Sequence, residues 1–369
     1  MKIMKAVCVL LSALLLAACG GGNGGGGATA GAGTKASSSK VFHWKMVTTW
    51  PANLPVFETG PERFADEVRK MSDGRLDIKV YAGGELVPAL GVFDAVSQGT
   101  VEMGHGSPYY WAGKVPAAQF FASVPFGMTA SGMNAWLYEG GGLKLWREVY
   151  KPFNLVPFPG GNTGVQMGGW FNKKIESLDD IKGLRMRIPG LGGKVLAAAG
   201  GNPVLMAGGE IYTALDRGAI DATEWVGPYH DMRLGLNRAA KYYYYPGWHE
   251  PGTELEFMVN ADAWAQLPED LKTIVRTAAQ ATTQWIFSAM EARNAEALQK
   301  LEASQKTRIL EFPPAVLDEL KKMTKKTLDE EAAKDPEFKR IYDAYRKFRD
   351  TYADWNRIEV ESANVYMKK

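Results

Sequence analysis

Cysteine is almost missing from this chain. Among 369 residues there are two, Cys8 and Cys19. Both fall within the first twenty positions, so the long remainder has no thiol for a disulfide framework, a thiolate metal site or a cysteine nucleophile. Histidine is scarce as well. The four histidines, His43, His105, His230 and His249, include no two at ligand spacing on one helix, which argues against a zinc site. Excess charge is lacking: 43 basic residues stand against 41 acidic ones for a net charge of +2, which gives no support to nucleic-acid binding. No stretch after Ala18 is apolar enough to span a bilayer. Catalytic signatures are absent too. Gly106-Ser107 lacks the flanking pattern of an acyl-transfer serine, and the early glycines lack the Lys-Ser/Thr of a phosphate loop.

What is present begins with Lys2 and Lys5 ahead of an apolar run, Ala6 to Ala18, that closes on Leu16-Ala17-Ala18-Cys19. A charged start, a core too short for a permanent span and small residues at the end make residues 1–18 a signal peptide. Cleavage before Cys19 would leave that residue as a lipidated N-terminus, in the manner of a bacterial lipoprotein; an ordinary secretory peptide with a chance cysteine is the alternative. Residues 19–40, mostly Gly, Ala, Ser and Thr, cannot form a core and read as a flexible tether.

About 330 residues follow, enough for about two domains. Phe42, Trp44, Met46 and Thr48 alternate as in a strand; Phe57, Phe64, Val68 and Met71 keep helical spacing and should face inward; Leu76, Ile78 and Val80 alternate again. An internal echo comes next. Val80-Tyr81-Ala82-Gly83-Gly84-Glu85-Leu86 resembles Leu205-Met206-Ala207-Gly208-Gly209-Glu210-Ile211, and Phe93 to Glu102 resembles Tyr212 to Asp221. Each copy reads strand, Gly-Gly turn, helix, glycine stop, strand, which predicts an α/β chain of two lobes built on one βαβ logic. The loops Gly104 to Trp111 and Ala222 to Gly227 would then line one cleft beyond the strand ends. Further on, Tyr242 to Tyr245 and Phe257 to Asn260 read as strands. A long helix starts near Pro268, a short strand lies near Ile309, and another helix starts near Pro314. The tail places Phe338, Ile341, Tyr342, Tyr345, Phe348, Tyr352 and Trp355 mostly three or four apart; periodicity does not choose between packing on the chain's own lobe and a dimer contact.

In Leu184-Arg185-Met186-Arg187-Ile188 the apolar residues face a core and the arginines share the other face. A guanidinium is too costly to bury alone, so one arginine should meet an anion, and its planar fork suits a carboxylate.

Four separated motifs carry a family resemblance: Asn162 to Trp170, Gly183 to Gly190, Gly218 to Pro228 and Pro246 to Gly252. With them, nearly all of the mature sequence resembles the DctP-type solute receptors of tripartite ATP-independent periplasmic (TRAP) transporters, closest to the branch that binds 2-oxoacids and related monocarboxylates. The resemblance implies a two-lobed periplasmic binding protein fold of type II character, its lobes joined by crossing strands and a long helix, with extra C-terminal helices. The expected division is 41–163 plus 253–290 for the N-lobe and 164–252 plus 291–333 for the C-lobe, with 334–369 as a terminal helix available for a homodimer contact. Arg187 matches the family's carboxylate-gripping arginine, and Arg185 a supporting or surface residue. Gln166 matches an amide that reaches ligand and ion. Glu224, Trp225 (through its carbonyl) and Glu250 match positions around a cation, while Tyr109 is a candidate for the ligand's 2-oxo group. Tyr109, Tyr110, Trp111, Trp170, Phe171 and Trp248 are expected to wall the pocket, or to fill cores.

Two glutamates beside a carboxylate ligand repel it by roughly 3 kcal/mol each at ~5 Å and an effective dielectric of about 20. An oxygen-ligated cation reverses that sign, and the donor set suits Na⁺, or alternatively Ca²⁺. The resemblance, with this charge balance, implies a non-enzymatic periplasmic receptor, anchored through Cys19, that passes a small monocarboxylate to membrane subunits. The alternatives are a receptor of the same fold for a dicarboxylate or sugar acid, for which Arg185 or Lys194 would have to face inward, and an enzyme using Glu224 and Glu250 as acid and base.

Overall fold

A computed structural model of the chain describes residues 40–367; the expected signal peptide, Cys19 and all of the tether but Lys40 lie outside the described residues. The alternating segments at the start form β1 (Phe42–Thr48), α1 (Thr59–Met71), β2 (Leu76–Tyr81), α2 (Val92–Ser97) and β3 (Met103–Gly106), with β1 parallel to both β2 and β3. Met71, expected inward, is the last residue of α1 and is 43% exposed; Phe64 and Val68 carry the buried stripe. After α3 (Ala130–Tyr138) and α4 (Gly142–Tyr150), β4 (Leu155–Asn162) runs out of this lobe.

The second lobe holds β5 (Gly169–Phe171), β6 (Arg185–Arg187), α5 (Gly190–Ala198), β7 (Asn202–Val204), α6 (Gly208–Asp216), β8 (Ala222–Thr223), α7 (Pro228–Arg233), α8 (Leu236–Ala239) and β9 (Tyr242–Tyr245). The chain then returns through β10 (Glu254–Asn260) and α9 (Ala261–Gln266) to α10 (Glu269–Ser304), and finishes with β11 (Arg308–Glu311), α11 (Pro314–Lys334) and α12 (Pro336–Met367).

The two sheets run β2-β1-β3-β10-β4 and β11-β9-β5-β8-β6-β7. The echo is visible in them: β2-β1-β3 repeats as β7-β6-β8, with β6 parallel to both neighbours. Gly99 (φ 71°) and Gly218 (φ 70°) stop α2 and α6 in the left-handed conformation that glycine takes without strain. The copies diverge at their first strands. β7 ends at Val204, before the aligned Leu205, and the extra residues of the first copy form a loop and a short 3₁₀ turn, Ala89–Gly91, ahead of α2.

β4 and β10 pair antiparallel as the crossing strands, with a bulge between Leu255 and Glu256. Helix α10 packs on β4 and α1 and also on α7, so it braces both lobes. The terminal stripe folds back on the first lobe: Phe338, Tyr342 and Tyr345 meet Phe120, and Tyr345 meets Trp136 edge-on. Phe348 and Tyr352 pack on the same cluster, whereas Trp355 stays 62% exposed.

Tyr345 is fully buried, and its hydroxyl oxygen accepts from the Met128 N–H at 3.0 Å. Tyr345→Ala is expected to cost about 3–5 kcal/mol. Tyr345→Phe, which strands only that N–H, should cost about 1–3 kcal/mol. Urea midpoints of the two variants check this; losses under about 1 kcal/mol in both would show that α12 merely rests on the lobe.

Candidate carboxylate and cation site

The strand pattern that buries Leu184, Met186 and Ile188 also sends the two arginines to different fates. Arg185 is exposed and forks onto Asp221, with Nη2 and Nε at 2.7 and 3.0 Å from its two oxygens. Arg187 is 1% exposed. Parallel pairing sets Arg187 opposite Thr223, so Glu224, the next residue after β8, emerges beside it, and Arg187 Nη1 donates to Glu224 Oε1. Burial lowers the guanidinium's pKa; Glu224 together with the Tyr110 and Tyr109 hydroxyls outweighs that, and the net shift is upward. Asp231 fixes the stretch that follows, accepting from the Val226 and Gly227 N–H groups at 3.2 and 3.1 Å.

Glu250 arrives from the turn before β10. Backbone bonds from Gly247 N–H to Gln166 O (3.0 Å) and from Gln166 N–H to Glu250 O (3.3 Å) lay that turn against the segment leaving β4. Glu250 Oε2 then accepts from Gln166 Nε2 (2.8 Å), Thr253 Oγ1 (2.5 Å) and the Tyr109 hydroxyl (3.4 Å). Burial, and next the repulsion from Glu224, push Glu250 up to about 7. Glu224, His249 and Glu250 can each turn one ligand atom into a group within 4.8 Å of one another.

All four residues on which the carboxylate-and-cation reading rests therefore meet: Arg187 on Glu224, Gln166 on Glu250, and the two glutamates in one cluster. Trp225 joins them, its ring centre 5.2 Å from the Arg187 guanidinium carbon. Gly208 lies beneath that ring, where a Cβ would come within 2.5 Å of Trp225 Cη2. Tyr109, expected to reach a ligand's 2-oxo group, donates to Glu250, and the neighbouring Tyr110 hydroxyl accepts from Arg187 Nη2 at 3.4 Å.

Some expected wall residues belong to the core. Trp170 stacks on Tyr243 and donates to Asp231 at 2.9 Å, and Phe171 packs edge-on to Tyr244 and Phe312. Trp50 and Phe57, which sequence reasoning left out of the site, stand 6.3 and 6.4 Å from the Trp225 ring and carry the first lobe onto the second. His249 was also missed. It adjoins Glu250 in sequence, but a search for histidine pairs on one helix passes over a turn.

A cation fits what is present. Gln166 Oε1 and Glu224 Oε2 are buried oxygens with no hydrogen-bond partner among the described residues. They are hard donors, and a sodium or calcium ion would satisfy both.

The profile of the bacterial extracellular solute-binding proteins, family 7 (DctP), matches residues 46–335. The chain belongs to this family. The receptor is 49% identical over 315 residues, 85% of its own length and 86% of the other's, to a monocarboxylate 2-oxoacid-binding periplasmic protein of Nostoc sp. strain PCC 7120. Among solved structures, a TRAP periplasmic solute-binding protein from Colwellia psychrerythraea with bound calcium and pyruvate is 42% identical. It superposes with a TM-score of 0.86 over 89% of this chain and 100% of that one. A counterpart from Pseudoalteromonas atlantica with bound sodium and pyruvate is 41% identical, with the same TM-score and coverage.

Beside the site, the receptor buries two more glutamates on β10. Glu256 accepts from Trp111 Nε1 and, at 3.2 Å, from the Tyr150 hydroxyl; Glu254 accepts from Asn162 Nδ2 at 2.9 Å. Among the described residues no cationic side chain stands against either, and burial raises both to about 8. The unfolded chain releases these protons near pH 4.5, whereas the folded chain holds them to about pH 8. Their contribution to stability is thus complete below pH 4.5 and declines as pH rises to about 8. The receptor without ligand should be more stable at about pH 5 than at about pH 8, and Glu256→Gln should narrow that difference. Urea midpoints at the two pH values measure this; an unchanged difference in the variant would show that Glu256 ionises freely.

Proposed function

We propose that this receptor binds a small monocarboxylate, a 2-oxoacid such as pyruvate or a 2-hydroxy acid, together with a cation, and delivers it to TRAP membrane subunits. The observation that carries the reading is the buried Arg187 set among two buried carboxylates. One guanidinium against Glu224 and Glu250 leaves one negative charge in excess, and a carboxylate ligand would make it two. A calcium ion cancels both; a sodium ion suffices when Glu250 keeps its proton. Ligand and cation thus bind as a neutralising pair, with Gln166, Glu224, the Trp225 carbonyl and Glu250 around the cation, Arg187 on the acid and Tyr109 beside it. The bound calcium or sodium and pyruvate of the 41–42% identical structures support the same reading.

The two lobes, 41–163 with 253–290 and 164–252 with 291–333, close over the ligand, and the Trp50–Trp225 contact supports that closure. Cys19 carries the lipid tether, and the exposed end of α12, with Trp355, offers a contact to a second copy. No catalytic role is proposed for Glu224 and Glu250, since Arg187 already engages Glu224.

Pyruvate at about a hundred times its Kd should add about 2.7 kcal/mol of stability, and more when calcium or sodium is supplied. Arg187→Ala should abolish the ligand-induced rise in Tm, read against the variant's own unliganded Tm, because uncovering the buried Glu224 itself costs about 3–5 kcal/mol. A rise with succinate and none with any monocarboxylate would move the reading to a dicarboxylate receptor.

A further inference from the structure

His249 adds to the site something that an oxygen cage for sodium or calcium does not need. The residue is 1% exposed, and neither ring nitrogen has a hydrogen-bond partner among the described residues. Its Nε2 lies 3.5 Å from Glu224 Oε2, an atom that is itself buried and unpartnered. A buried imidazole and a buried carboxylate oxygen left in this relation are long for a hydrogen bond. The spacing suits something else. Two donors at about 2.0–2.1 Å from one tetrahedral metal ion stand about 3.3–3.4 Å apart.

The two oxygens of Glu224 have separate tasks: Oε1 takes Arg187, and Oε2 turns to His249. Glu250 supplies the third donor of the same cluster. One nitrogen with two carboxylates is a donor set for borderline divalent metals, for which imidazole is a preferred partner and calcium is not. The backbone holds the ring there: a Cβ on Gly192 of α5 would come within 2.8 Å of His249 Cβ, so the helix backs the turn closely. The scarcity of helical histidine pairs argued against zinc because it tests one architecture; here the loop after β8 and the turn before β10 bring the donors together.

We propose that Glu224, His249 and Glu250 form a site for a zinc-class divalent ion, and that such an ion competes for the place of the calcium or sodium that accompanies the acid. The proposal rests on the cation site of the receptor reading and deepens it. Zinc would act as an antagonist of the calcium-loaded state, because it occupies both glutamates and brings a different geometry to the acid.

The test uses the full chain with Cys8→Ser, Cys19→Ser and His43→Ala, which removes the thiols and the one exposed imidazole of the described residues. Metal-stripped protein is titrated with Zn²⁺ alone, with Ca²⁺ alone, and with Zn²⁺ against increasing Ca²⁺, by calorimetry. One zinc ion should bind, its apparent affinity should fall as calcium rises, and His249→Asn should lower the ratio of zinc to calcium affinity by about tenfold or more. The copper(II) form of the protein should show nitrogen hyperfine structure in its EPR spectrum, lost in His249→Asn; this measurement on unsubstituted His249 stands even if the variant folds poorly. An unchanged affinity ratio, zinc uptake indifferent to calcium, or copper without nitrogen coupling overturns the proposal. The zinc titration contains no acid, so a failure of pyruvate to bind would overturn the receptor reading while the metal result is judged separately.

Discussion

A guanidinium and two carboxylates held out of water constrain this molecule more than any other contact. Arg187, Glu224 and Glu250 are each at most 3% exposed, and their charges do not cancel. In a medium of low effective dielectric the surplus negative charge is expensive unless it finds a cation or a proton. Glu250 shows the second resolution, with its carboxyl raised to about 7. A metal ion offers the first. On the proposed reading, the same imbalance disfavours a lone carboxylate and favours a carboxylate with its cation, so selectivity for the pair would follow from the charges the fold fixes in place.

Much of the fold serves to bring those charges together. Arg187 and Glu224 come from neighbouring parallel strands whose register makes them adjacent, and Glu250 reaches them from the turn that leads into β10. The crossing strands are tied near that turn by Asn162 on Glu254 and by the Thr253 N–H on Thr163 Oγ1 at 3.2 Å. His105 locks the other side of the cleft. It accepts from Trp50 Nε1 at 2.6 Å and bonds Gly160 O at 2.9 Å, which fixes Trp50 against Trp225. Burial lowers His105 to about 4, so this neutral link persists through the physiological range.

The echo of Gly-Gly turns and glycine stops was legible because it encodes backbone requirements, and the β2-β1-β3 and β7-β6-β8 arrangements repeat it in space. Arg187 was legible from alternation plus the cost of burying a guanidinium, although alternation alone put Arg185 and Arg187 on one face and did not say which would be buried. That depended on Asp221, which catches Arg185 at the surface from a distant stretch of chain. Trp170 takes the core alternative for a similar reason. An aromatic ring fits a core as well as a pocket, and here Asp231 and Tyr243 draw Trp170 inward. His249 was hidden because its partners lie on another element. The terminal stripe was undecidable by period, and what settles its inner part is the complementary surface of Phe120 and Trp136, far away in sequence.

The fate of the remaining cations argues for a ligand with a single carboxylate. A dicarboxylate needs a second fixed positive charge at the far end of the site. Arg185 is spent on Asp221, and Lys194, the other cation weighed for that role, lies on Glu331 of α11. Both pairs sit toward the surface, where water screens them and where recruiting either inward would mean desolvating a charge after breaking its contact. The second lobe thus turns one arginine inward and ties the other nearby cations down outside. With aromatic surface from Trp225 and Tyr110 closing around Arg187, the arrangement favours a short acid whose other end is compact and uncharged, because a second carboxylate would meet no counter-charge of its own.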